Sequence, residues 1–176
     1  MEKNFKEILN QITTFIFDFD GVLTNSTILL FEDGELVRNM SVRDGFAIKT
    51  AVENGYRVAV ISGGTSNAVR SRLNMLGVTD VYLRIHNKME TFHEYCDMYQ
   101  LNPQEILYMG DDLPDLDVMK IVGLSTAPQD ADSEVLKIAK YISHKKGGEG
   151  CVRDVIEQVL RVQGKWQIEN AHTKFG

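Results

Sequence analysis

Short apolar runs alternate with helical patterns along most of this chain, and each run ends in small or charged residues. The runs at 15–17, 57–61, 81–85 and 106–109 have strand length, 123–127 reads as a short strand or loop, and 141–142 as a last short strand. Apolar runs this short, without polar alternation, read as strands buried on both faces. Helical spacing fills the intervals: Phe46, Ala47, Ile48, Ala51 and Val52; Ala68, Val69, Leu73 and Leu76; Met89, Phe92, Tyr95 and Met98; then 116–122, 130–139 and 151–162. Strands alternating with helices predict an α/β fold, a parallel sheet covered by helices on both faces. At 176 residues, 43% of them hydrophobic, the chain suits a single domain. We assign that domain to 1–165 and a flexible C-terminal tail to 166–176.

One interval breaks the pattern. The apolar run 28–31, the turn Glu32-Asp33-Gly34-Glu35 and the run 36–42 predict a β-hairpin over about 26–42, because Asp-Gly is a strong hairpin signal. It projects after the first strand as a structural element, a lid or a subunit contact. Asp44 is expected to cap the helix that follows, and Arg43 either binds a substrate anion or pairs with a neighbouring side chain.

Net charge is −6 with no basic block, which excludes a nucleic-acid backbone as partner. Cys96 and Cys151 lack ligand-like spacing and read as free thiols rather than a secreted disulfide framework. The segment 1–11 has no signal-peptide core, and no run approaches the roughly 18 apolar residues of a membrane span. A cytoplasmic protein is expected, with no membrane partner.

Chemistry enters where strands run out. Asp18 and Asp20 follow the run 15–17, separated by Phe19 and closed by Gly21. Carboxylates at the end of a buried strand are costly without a cation, and a hard divalent ion with oxygen ligands answers that need. Strand alternation predicts that both point to one side, towards one ion or substrate. Run 57–61 leads into Ser62-Gly63-Gly64-Thr65-Ser66 and a helix, a geometry that suits an anion. Lys88 stands where a helix begins, against the helix dipole, so either an anion compensates it or its side chain reaches water. Run 106–109 ends in Gly110-Asp111-Asp112-Leu113-Pro114-Asp115. Ligands of open parallel sheets sit past the carboxyl ends of the strands. Any one of these features is an ordinary turn or cap; Asp18, Ser62, Lys88 and Asp111 past different strands predict a catalytic site.

The motifs carry a resemblance. Asp18-Phe19-Asp20-Gly21-Val22-Leu23-Thr24 resembles motif I of the haloacid dehalogenase (HAD) superfamily; Ile61-Ser62-Gly63-Gly64, Lys88 and the 110–115 segment resemble motifs II, III and IV, in order. The small hairpin resembles the capless branch. Over about 13–165, the segments 18–25, 34–45, 72–78, 110–115 and 147–155 are similar to those of 3-deoxy-D-manno-octulosonate 8-phosphate phosphatases, which serve lipopolysaccharide synthesis, and of relatives acting on nonulosonate 9-phosphates. Asn25-Ser26 replaces the usual Asp-Gly, Gly64 stands where the octulosonate enzymes often carry arginine, and no glycine turn precedes Lys88. The segment 42–45 leans towards the octulosonate side.

The resemblance implies a phosphatase with Asp18 as nucleophile and Asp20 as acid and base. It implies Mg²⁺ held by Asp18, Asp111 and the backbone carbonyl of Asp20. Ser62, Gly63 and Lys88 would hold the phosphoryl group, with Asp115 orienting Lys88 or a metal-bound water and Asp112 beside it. It also implies a homotetramer in which a neighbour completes the site, with Arg43, Arg72 and 147–150 as candidate substrate contacts. The alternatives are a nonulosonate 9-phosphate or broad-specificity phosphatase, and a catalytically dead binding or regulatory subunit.

Overall fold

The computed structural model describes residues 4–166. Six strands form one parallel sheet: β1 (Thr14–Phe17), β4 (Arg57–Ile61), β5 (Asp80–Tyr82), β6 (Ile106–Met109), β7 (Leu124–Ala127) and β8 (Tyr141–Ile142), in the spatial order β5-β4-β1-β6-β7-β8. The chain moves outward from β1 to β4 and β5, then returns to β1's other side for β6, β7 and β8. β1 is thus the switch point, where a crevice opens beyond the strand ends. Ile16 pairs with Ala59 on one side and Tyr108 on the other.

Helices α1 (Phe5–Gln11), α2 (Val42–Glu53), α3 (Asn67–Met75), α4 (Lys88–Tyr99), α5 (Leu116–Ile121), α6 (Ser133–Ile138) and α7 (Cys151–Val162) complete the layers. Alternate residues of β1 serve different cores. Phe15 and Phe17 pack with α2 and α7 residues such as Ile48, Val155 and Ile156. Ile16 packs on the other face with Phe92, Tyr95 and Val118. This two-sided burial is why the strands read as uninterrupted apolar runs. Cys96 and Cys151 are buried free thiols, as expected.

The hairpin forms with very short strands, β2 (Leu29–Leu30) and β3 (Leu36–Val37), joined antiparallel. Gly34 takes φ +87° at the turn, which glycine adopts at little cost. The sequence reading carried the returning strand to residue 42, but helix α2 begins there. Its cap also differs from expectation: Ser41 caps α2 by accepting from the Asp44 N–H at 3.3 Å. Asp44 lies within the first turn, fully buried, and its Oδ1 accepts the Arg153 N–H at 2.7 Å. Arg43 therefore does not neutralise it; α7 does. The expected tail over 166–176 lies outside the described residues except for Trp166, which packs edge-on to Phe46 at 6.0 Å between centroids. Among the described residues no helix is long and apolar enough to cross a membrane.

Candidate active site

Beyond β1 the chain leaves the sheet at once. The Asp18 N–H still joins the ladder, donating to the Met109 carbonyl at 3.0 Å, but the amides of Val22, Leu23 and Thr24 all turn back to the Phe19 carbonyl. Thr24, fully buried, closes this loop by accepting the Gly21 N–H at 3.2 Å. Gly21 adopts φ +94°, and a Cβ there would overlap the Asp111 carboxylate. The loop after β1 and the loop after β6 touch because Gly21 has no side chain.

That closeness gathers charge. Carboxylate oxygens of Asp18, Asp111 and Asp115 lie within 4.8 Å of one another. Lys88, the first residue of α4, brings its Nζ to 3.1 Å from Asp18 and 2.7 Å from Asp115. The expected anion at the start of α4 is therefore a pair of carboxylates. Asp115 is fully buried and many-handed. Its Oδ1 accepts from Lys88 and from the Tyr108 hydroxyl at 2.6 Å, and its Oδ2 accepts the Asp111 N–H at 3.1 Å. Asp112, exposed, caps the short turn that presents Asp115.

Three carboxylates and one ammonium leave an excess of negative charge in a dry place. Burial, then the neighbouring Asp115, pushes Asp18 up to about 6, against the pull of Lys88. Burial, then Asp18 and Asp115, pushes Asp111 up to about 8. Lys88 is raised even though burial acts the other way, because Asp18 and Asp115 hold its proton. Burial and Asp115 raise Tyr108 far above the usual phenol range, so its hydroxyl stays a donor. The Asp111 Oδ1 is buried without a hydrogen-bond partner among the described residues. A hard cation would satisfy that oxygen and relieve the like-charge repulsion.

Asp20 does not share this cluster through its side chain. The reading that strand alternation aims both aspartates at one ion or one substrate is corrected for the ion alone: the strand ends at Phe17, and the grouped carboxylates are those of Asp18, Asp111 and Asp115. The Asp20 carboxylate instead meets Arg38, which donates through Nε at 2.7 Å and Nη2 at 3.3 Å. A Cβ at Gly64 would come within 2.7 Å of the Asp20 carboxylate and 3.5 Å of the Ser62 Oγ. Asp20, Ser62 and Gly64 thus face one cleft, with Gly63 in the same loop. Ser62 is buried, and its hydroxyl accepts the Gly64 N–H at 3.2 Å.

The candidate substrate contacts disperse. Arg72 lines a cavity of about 310 Å³ under the hairpin, together with Arg38, Met40, Phe19 and Val69. Arg43 lines a different cavity, of about 610 Å³, with residues of α7 such as Arg153, Glu157 and Arg161; within this chain it does not meet Asp18. Gly147 and Gly148 are committed to their own chain: a Cβ on either would overlap the backbone at Gly21 or Thr24. They support the loop after β1. Sequence reasoning missed Arg38 and Tyr108. Arg38 sits at the end of a short hairpin strand, where nothing local marks it. Tyr108 carried a signal, the one hydroxyl in an otherwise apolar strand.

Comparison with known proteins accords with this geometry. Residues 75–156 match the family model described as haloacid dehalogenase-like hydrolase. The chain is 37% identical over 154 residues to the Yersinia pestis 3-deoxy-D-manno-octulosonate 8-phosphate phosphatase KdsC, covering 88% of this chain and 82% of that protein. The crystal structure of a Yersinia pestis phosphatase of that name superposes with a TM-score of 0.89 at 36% identity, covering 91% of this chain and 86% of the other. The Moraxella catarrhalis phosphatase of the same name, solved with a magnesium ion, a phosphate ion and KDO, superposes with a TM-score of 0.90 at 25% identity, over 96% of this chain and 97% of that one. The chain belongs to the haloacid dehalogenase-like hydrolases, on the branch of the 3-deoxy-D-manno-octulosonate 8-phosphate phosphatases.

Proposed function

We propose that this protein is a Mg²⁺-dependent phosphoric monoester hydrolase that converts 3-deoxy-D-manno-octulosonate 8-phosphate to the free sugar acid and inorganic phosphate. The observation that carries the reading is the cluster of Asp18, Asp111 and Asp115 around Lys88 where β1 and β6 end. Its donor set suits a hard cation: carboxylate oxygens only, one of them buried and unpartnered. Asp18, Asp111 and the backbone carbonyl of Asp20 would hold Mg²⁺, which when bound offsets the negative charge of the carboxylates and of the phosphoryl oxygens.

The remaining work falls to the chain. An Asp18 carboxylate oxygen attacks phosphorus, the bond from phosphorus to the sugar oxygen breaks, and the electron pair leaves with that oxygen. Asp20 delivers the proton that the leaving oxygen needs. Water then attacks the phosphorus of the aspartyl phosphate, Asp20 takes the water's proton, and the Asp18 carboxylate departs. Lys88, locked in place by Asp115, donates to the phosphoryl oxygens, as do Ser62 and the Gly63 amide. Retention of both Asp18 and Asp20 favours turnover over a purely binding role.

Assembly belongs to the same proposal. Leu29, Leu30 and Phe31 are 58%, 77% and 52% exposed on the hairpin, an apolar face that suits burial between subunits of a homotetramer. A neighbour seated there would shelter the open crevice. A cytoplasmic location also belongs to this reading, since the substrate is a biosynthetic precursor.

The test is direct. Purified protein with Mg²⁺ should release phosphate from the octulosonate 8-phosphate, lose that activity in EDTA and regain it on Mg²⁺ addition. Asp18→Asn should lose at least about three orders of magnitude in kcat. Phosphate release that persists in EDTA, or a near-normal kcat in Asp18→Asn, contradicts the proposal.

A further inference from the structure

Arg38 stands out among the groups that this mechanism leaves unused. It lies just beyond β3 on the hairpin, and its side chain is only 8% exposed. It holds Asp20 through two donors on one edge of the guanidinium, Nε to Oδ1 at 2.7 Å and Nη2 to Oδ2 at 3.3 Å. This two-point grip fixes the plane of a carboxylate as well as its position, which a single ammonium does not do. Its Nη1 is buried without a partner among the described residues. Burying a guanidinium with one edge unsatisfied carries a cost, so the contact with Asp20 is held against a penalty. Arg38 also lines both the cleft of Asp20, Ser62 and Gly64 and the cavity shared with Arg72. Asp20 itself has no strand to fix it, because β1 ends three residues earlier. Its backbone belongs to a turn, and Arg38 is the side chain that orients its carboxylate.

We propose that Arg38 is a positioning residue for proton transfer: it aims the Asp20 carboxylate at the leaving oxygen, and it ties that aim to the placement of the hairpin. The inference rests on the role given to Asp20 under the proposed function. A small misplacement of a proton donor is expensive where the leaving group is a poor one, since an alkoxide must be protonated as it departs. A leaving group that is stable as an anion needs far less help. Arg38 should therefore matter to the chemical step in proportion to that need.

The experiment compares two substrates and five proteins. Steady-state kinetics with Mg²⁺ are measured for the octulosonate 8-phosphate and for p-nitrophenyl phosphate, with wild type, Arg38→Met, Arg38→Lys and Asp20→Asn/Arg38→Met beside Asp20→Asn. The expected result is a fall in kcat of roughly 30- to 300-fold for Arg38→Met on the sugar phosphate with KM within about threefold, and a fall at least tenfold smaller on p-nitrophenyl phosphate. Arg38→Lys should restore part of kcat, and Arg38→Met should add little once Asp20 is already Asn. A merely structural role would depress both substrates alike and add fully to Asp20→Asn, and either result overturns the proposal. A rise in KM with kcat unchanged overturns it too, by making Arg38 a substrate ligand. Wild type inactive on both esters refutes the proposed function itself, a different outcome from an active wild type whose Arg38 variants lose both substrates equally.

Discussion

Asp115 shows how much of this site is decided by single buried residues. Its two oxygens hold Lys88, Tyr108 and the Asp111 amide at once. Asp115→Ala removes all three acceptors and leaves Lys88 with Asp18 alone, so a loss of about 3–5 kcal/mol is expected from urea unfolding. Asp115→Asn keeps one acceptor and should cost less. Asp44 poses a separate test. Burial raises it from 3.8 to about 6, opposed by the Arg153 and Gly150 amides and the Arg153 charge. A carboxyl raised in the fold favours folding at low pH: the cost is absent below about 4, grows between 4 and 6 and is fully present above 6. At pH 7 it is on the order of 3 kcal/mol. Asn at this position keeps an acceptor for the Arg153 N–H and carries no charge. The stability of Asp44→Asn relative to wild type should therefore rise as pH goes from 4 to 7, and a pH-independent difference would contradict the account.

At the scale of elements, the strand bounds at 57–61 and 106–109 and the helix at 151–162 were legible to the residue. Buried strands leave uninterrupted apolar runs, and α7 has a sharply two-sided pattern. The hairpin's turn was legible from Asp33-Gly34, but its strand lengths were not. An isolated two-stranded ribbon ends wherever its pairing stops repaying its entropy, and periodicity does not report that point. Asp18, Lys88 and Asp111 converged as strand-end residues should. Arg38 did not show itself, because its partner is 18 residues away and the contact depends on how the hairpin folds back. The hairpin carries its own prediction. Leu30→Arg places a charge on the most exposed apolar position of that face and should reduce the sedimenting species below a tetramer, with a fall in sugar-phosphate turnover. A Leu30→Arg protein that stays tetrameric, or a wild type that is fully active as a monomer, would contradict a shared site.

The whole molecule gathers Asp18, Asp111, Asp115 and Lys88 at one point, beyond the end of β1, with the chain returning to that strand from both sides of the sheet. On the proposed function, reactivity resides in the loops after β1, β4 and β6 and at the start of α4. We place selectivity, as part of the same proposal, in the cavity under the hairpin that Arg72, Met40 and Phe19 line. That division predicts a phosphatase whose discrimination among esters comes from the sugar acid and not from the phosphate. The measurement that tests this most directly is kcat/KM with Mg²⁺ for 3-deoxy-D-manno-octulosonate 8-phosphate, a nonulosonate 9-phosphate and a panel of ordinary sugar phosphates. The account predicts that the octulosonate ester exceeds every other substrate by more than about tenfold, roughly 1.4 kcal/mol of transition-state preference. Equal values across the panel, or a higher value for the nonulosonate ester, would contradict it.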